Sequence, residues 1–80
     1  MTRQEILTKL IPVFRGVLNQ PELELTDELT ANDVDNWDSL SHMVLISEIE
    51  QAFAIKFKLR DINKMRNIGD LVTILTEKIN

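Results

Sequence analysis

The sequence predicts a small all-α bundle: three main helices, one short helix, and a long loop between helices one and two. Three observations lead there. Apolar residues recur at i, i+3, i+4 and i+7 in three separate stretches, which places them on one helical face each. Each stretch opens on a residue suited to capping a helix, Thr2, Asp38 and Asn67. The one run that alternates like a strand, residues 54–60, has nothing to pair with. With 80 residues the chain has room for a single domain spanning 1–80.

The first helix is expected over residues 3–18. Thr2-Arg3-Gln4-Glu5 has the form of a capping box, and Ile6, Leu7, Leu10, Ile11, Phe14, Val17 and Leu18 follow at helical spacing. Pro12 lies inside this stretch and removes one backbone donor, so a bend is expected there. Asn19-Gln20-Pro21 ends the helix. Residues 19–38 then form a connection longer than packed helices need, which points to local structure or function. Its apolar residues, Leu23, Leu25, Leu29, Val34 and Trp37, have the irregular spacing of anchors that pin a loop to a core. One helical turn is expected at Thr30-Ala31-Asn32-Asp33.

Helix two is expected from Asp38 or Ser39 to Phe53, with Leu40, Leu45, Ile46, Ile49, Ala52 and Phe53 inward and Ser41, Val44, Glu48 and Gln51 outward. Residues 54–60 read as an extended connector in which Ile55, Phe57 and Leu59 alternate with Lys56, Lys58 and Arg60. A short helix follows over Asp61–Met65. The last helix starts after Asn67 and buries Ile68, Leu71, Val72, Leu75 and Ile79.

Composition narrows the function. No cysteine is present, which excludes disulfides and thiolate metal sites, and one histidine argues against structural zinc. Asp33-Val34-Asp35-Asn36-Trp37-Asp38 begins like a calcium loop. Asp38 and Val44 occupy the positions where such a loop needs glycine and glutamate, so no metal site is expected. Neither a secretory leader nor a membrane span is visible, and a cytoplasmic location without membrane partners is expected.

Charge is strongly partitioned. Residues 16–55 hold nine acids and no Lys or Arg, whereas residues 56–66 hold five basic residues against Asp61 alone. The acidic middle excludes a nucleic-acid partner, whose phosphates need a basic footprint. It suits docking on basic protein surfaces.

The most informative stretch is Asp35-Asn36-Trp37-Asp38-Ser39-Leu40-Ser41-His42-Met43. A serine at a helix start is ordinarily a cap. Here Asp38 can cap instead, which leaves the Ser39 hydroxyl free in the first turn, where backbone N–H groups and the helix dipole favour a phosphate. Ser39 and His42 are three apart and can meet, but a hydrolase also needs an orienting acid, an oxyanion hole and a cleft. The glycines of a nucleophile elbow are missing, and no enzymatic activity is expected.

The Asp38-Ser39-Leu40 triplet follows a long acidic and apolar loop. It precedes an amphipathic helix ending in Glu50 and Phe53, and Asn67-Ile68-Gly69-Asp70-Leu71 opens the last helix. In these features the chain resembles an acyl carrier protein over nearly its whole length. The resemblance implies that a phosphopantetheinyl transferase attaches 4′-phosphopantetheine from coenzyme A to Ser39, and that the arm holds an acyl group as a thioester. It also implies that Asp38 caps the helix and contributes to transferase recognition. Helix two is the surface that acyl ligases, acyltransferases or synthases of fatty-acid or polyketide type would dock on. Leu40, Met43, Val44, Ser47, Glu48 and Trp37 are the candidate docking residues, and a monomer is expected.

The chain departs from the fatty-acid pattern in three places. Asn36-Trp37 stand where glycine and a small residue usually precede the triplet. The outer face of helix two is poor in acid. Residues 56–66 are basic where such carriers are commonly acidic. These departures point to a specialised stand-alone carrier of a dedicated pathway. The alternatives are an aminoacyl or peptidyl carrier, and an interaction module without the arm.

Overall fold

Four α-helices fold around one apolar core in the computed structural model, which describes residues 1–79. They are α1 (Arg3–Leu18), α2 (Ser39–Phe53), α3 (Leu59–Asn63) and α4 (Ile68–Ile79), with a single 3₁₀ turn at Ala31–Asp33. The all-α architecture, the long α1–α2 loop and the turn within it are as the sequence predicts.

α1 begins on a complete capping box. The Thr2 hydroxyl accepts from Glu5 N–H at 3.1 Å, and the Glu5 carboxylate accepts from Thr2 N–H at 2.8 Å. The Thr2 N–H, and after it the Thr2 side chain, hold the Glu5 carboxyl below its ordinary pKa. Ile6, Leu10, Phe14 and Leu18 are buried as one stripe, and this stripe packs against both α2 and α4. Pro12 is exposed within a continuous helix. α1 ends where Asn19 takes the left-handed conformation at φ 54°, which a short amide side chain tolerates.

The α1–α2 loop is tied down from several sides. Arg15 Nε donates to the Leu23 carbonyl at 2.9 Å, and Leu23, Leu25, Leu29 and Trp37 pack against the core while Val34 is buried within it. The loop also caps α4. Ile68 N–H donates to the Leu29 carbonyl at 3.1 Å and Gly69 N–H to the Asp27 carbonyl at 3.0 Å, so two otherwise orphaned donors of the first turn find partners. A Cβ at position 69 would lie 3.2 Å from both Cβ and the carbonyl oxygen of Asp27. Glycine therefore lets loop and helix approach. Asn67 completes the cap, its side-chain oxygen accepting from Asp70 N–H at 2.8 Å.

Three sequence expectations need correction. Leu40 is not inward but 78% exposed, because it lies on the same helical face as Met43, Val44 and Ser47, which are exposed too. Ser41 does not face outward: it is half-buried and hydrogen-bonded. The short helix starts two residues before Asp61, at Leu59. Asp61 is its third residue, reaching back to accept from Lys58 N–H at 2.8 Å. This earlier start takes Leu59 out of the alternation, so Ile55 and Phe57 lie against the core while Leu59 projects into solvent. Lys78 on α4 meets Asp61 at 2.8 Å and ties α3 to α4. On α4 the inward set gains Ile74, and Ile79 is only half-buried.

α2 ends on Ala54 at φ 55° and ψ 47°, a conformation that strains any residue with a Cβ. Ala54→Gly should raise stability by up to about 1 kcal/mol, since relief of the strain exceeds the extra freedom given to the unfolded chain. A urea midpoint that stays level or falls would show that the strain at Ala54 is already relieved.

Candidate functional site

The site is assembled at the start of α2. Asp38 caps the helix, one carboxylate oxygen accepting from Leu40 N–H at 3.0 Å and Ser41 N–H at 2.9 Å. These donors hold the Asp38 carboxyl below its usual pKa, the Ser41 amide contributing most. Ser41 closes the box, its hydroxyl accepting from Asp38 N–H at 2.9 Å and donating to the Asn36 carbonyl at 2.6 Å. The capping work therefore falls to Asp38 and Ser41. Ser39, the first residue of α2, is exposed, and its hydroxyl has no hydrogen-bond partner among the described residues.

The residues before the helix are held firmly. Asn36 adopts φ 72°, and its side-chain amide donates to the Leu18 carbonyl at 3.0 Å, so the loop end is clipped to the end of α1. Trp37 is half-buried and meets Phe14 edge to face, with centroids 5.4 Å apart at 77°. Its indole N–H donates to His42 Nδ1 at 3.2 Å, and the two rings stack. That bond requires an unprotonated Nδ1, which places the proton of neutral His42 on Nε2. Burial pushes the His42 imidazole below its ordinary pKa. No hydrogen bond joins His42 to Ser39, so the pair does not form a nucleophile and base.

A surface groove runs beside Ser39, lined by Ala31, Asn32, Trp37, Asp38, Ser39, His42 and Met65. Ala31, Trp37, His42 and Met65 also line an apolar interior cavity of about 60 Å³ beneath. Of the expected docking residues, Leu40, Met43, Val44, Ser47 and Glu48 are exposed on α2, whereas Trp37 lies half-buried between loop and core. Nothing in the local pattern marks Met65 and Asn32 at the groove or the Trp37–His42 bond. Each depends on how loop, α2 and α3 meet.

The sole histidine and sole tryptophan make this contact measurable. His42 is harder to protonate folded than unfolded, so its contribution to stability is complete above the unfolded value, about 6.5. It is lost as pH falls from there through the lower folded value. Trp37 fluorescence should titrate with a midpoint below that ordinary histidine value, and His42→Gln should flatten the curve. A midpoint above it, or a response that survives His42→Gln, would contradict the contact.

Comparison with known proteins gives this geometry a family. The family model described as phosphopantetheine attachment site matches residues 8–75, and the chain belongs to that family. Its curated relatives are acyl carrier proteins. That of Thermotoga maritima is 28% identical over 78 residues, covering 98% of this chain and 96% of the relative. That of Streptococcus pneumoniae is 34% identical over 73 residues, covering 91% and 95%. A solution structure of holo acyl carrier protein from Geobacter metallireducens superposes with a TM-score of 0.86 at 45% identity, covering 91% of this chain and 84% of that one.

The chain thus belongs with the acyl carrier proteins, a family whose members carry acyl intermediates on 4′-phosphopantetheine and are not catalysts. Members of the family work with synthase and transferase enzymes. Among the described residues no helix is long and apolar enough to cross a membrane.

Proposed function

We propose that Ser39 carries the phosphopantetheine and that the protein serves a dedicated biosynthetic pathway. One observation carries the first part: Ser39 is the exposed serine at the start of α2 whose hydroxyl is left free, while Asp38 and Ser41 satisfy the helix end. The groove beside it offers the arm both apolar and polar walls. In the attachment step the Ser39 oxygen bonds to the phosphorus of the pantetheine phosphate in coenzyme A. The pyrophosphate bond breaks, adenosine 3′,5′-bisphosphate leaves, and the hydroxyl proton passes to a base of the transferase. When bound, the group supplies a thiol that holds the acyl chain as a thioester. The tether raises the effective concentration of the cargo at each docked enzyme.

The remaining roles follow from this placement. Asp38 orders the turn that presents Ser39 to the transferase. Leu40, Met43, Val44, Ser47 and Glu48 form the α2 docking face, and Trp37 supports it from below. The partners are a phosphopantetheinyl transferase and an acyl ligase, acyltransferase or synthase, met by a monomeric single domain in the cytoplasm.

The dedicated pathway rests on charge. Glu48 is the one fully exposed acid on α2, since Glu50 is half-buried and accepts from Phe57 N–H at 2.8 Å, and residues 56–66 are basic. Enzymes that read an acidic carrier surface meet repulsion here. With fatty-acid elongation enzymes the loaded protein should turn over far more slowly than the housekeeping carrier. Equal turnover would remove the dedicated-pathway reading.

A further inference from the structure

Among the described residues, the large apolar side chains that stand exposed are Met1, three on α2, and Leu59. Leu59 is 74% exposed at the first position of α3. Lys58 and Arg60 flank it, and Lys56, Lys64 and Arg66 continue the basic run, all exposed. None of these five cations forms an ion pair among the described residues: Lys78 pairs with Asp61, while Glu50 and Asp70 accept from the Phe57 and Arg66 amides. Self-repulsion in such a run is only partly offset within the molecule, and an exposed leucine in its midst gains nothing from intramolecular packing.

Position adds a second observation. Met65, two residues past α3, lines the same groove as Ser39. A protein that reaches into that groove passes beside α3.

We infer that the exposed side of α3 is a second docking surface, taking an acidic protein surface whose carboxylates surround an apolar recess for Leu59. The carboxylates would meet Lys58, Arg60 and Lys64, steer the encounter and fix its orientation. Two other anionic partners fit less well. The basic run is short, and the chain as a whole carries a net charge of −4, with nine acids in residues 16–55. That excess repels an anionic bilayer or a nucleic-acid backbone once either extends beyond α3. A protein surface can be as small as the patch. The inference draws on the carrier reading only for the kind of partner, an enzyme acting at the groove.

The test uses the ¹⁵N-labelled full chain, with and without Ser39→Ala, titrated with a synthetic amphipathic peptide of Glu, Ala and Leu. The expected result is a set of amide shifts centred on residues 56–66 that disappears at high salt. Arg60→Glu with Lys64→Glu should weaken binding about tenfold, and Leu59→Ser several-fold, with unchanged circular dichroism. Shifts centred on α2, no binding, or equal binding of the charge-reversed variant would overturn the inference. So would stronger binding to phosphatidylglycerol vesicles than to the peptide. The Ser39→Ala chain should respond like its parent. A failure here beside normal arm attachment would strike only this surface, and failed attachment would leave it standing.

Discussion

Phe14→Ala should cost the protein about 3–5 kcal/mol, the usual range for deleting a fully buried aromatic ring. Phe14 is 1% exposed on the stripe of α1 that faces α2 and α4. Its ring also lines the apolar pocket between the loop and α2, so its removal enlarges a space that is already underfilled. At about 0.05–0.15 kcal/mol per residue, a chain of this size holds only about 4–12 kcal/mol in all. The variant should therefore be partly or wholly unfolded near body temperature. Trp37 rests edge-on against this ring, so the residues preceding Ser39 should loosen too. Phe53→Ala should cost less, because Phe53 is 8% exposed at the edge of the core, with the Lys9 ammonium 4.9 Å above its ring. Urea unfolding would check the order, and a Phe14→Ala cost under about 1 kcal/mol would show that the bundle is not organised around α1.

Ser39→Ala should abolish phosphopantetheine attachment and leave stability within about 0.5 kcal/mol of the parent. The first effect follows from losing the nucleophilic oxygen, and the second from a hydroxyl that makes no internal hydrogen bond. Ser41→Ala should behave the opposite way. Its hydroxyl bridges Asp38 N–H and the Asn36 carbonyl, so its loss should weaken the helix start, lower the melting temperature and leave the attachment residue in place. Intact mass and a thermal melt on both variants separate a functional serine from a capping one. Two variants that lose the arm equally, or a Ser39→Ala chain that melts much earlier, would contradict this division of labour.

Much of the fold can be read from local pattern, because its signals are local. Thr2 with Glu5 and Asn67 with Asp70 mark helix starts through bonds that span three residues. The stripe Ile6, Leu10, Phe14, Leu18 needs only the helical period. Errors arise where a residue's chemistry is read ahead of its place in the helical period. Leu40 is apolar, but it shares its helical face with Met43, Val44 and Ser47, and all four are exposed. The start of α3 is placed two residues late because its cap position is Lys58, a side chain that makes no capping bond and so leaves no signal in the sequence.

The site was legible in part. Asp38 and Ser39 follow from the rules of helix ends. The departure at Asn36-Trp37 acquires a physical meaning only in three dimensions. Asn36 holds the left-handed turn that glycine would otherwise supply, and its side chain adds a clip to Leu18 that glycine cannot make. Trp37 fills the space between Phe14 and His42. Of the two residues that set this chain apart from common carriers, Trp37 thus lines the groove beside the serine and Asn36 fixes the backbone just before it.

Residue-resolved mass spectrometry decides whether the arm sits on Ser39. The purified protein is incubated with coenzyme A and a broad-specificity phosphopantetheinyl transferase, digested, and its modified peptide fragmented. One phosphopantetheine per chain is expected, located on Ser39. An unmodified chain, or a phosphopantetheine on Ser41 or Ser47, would contradict it.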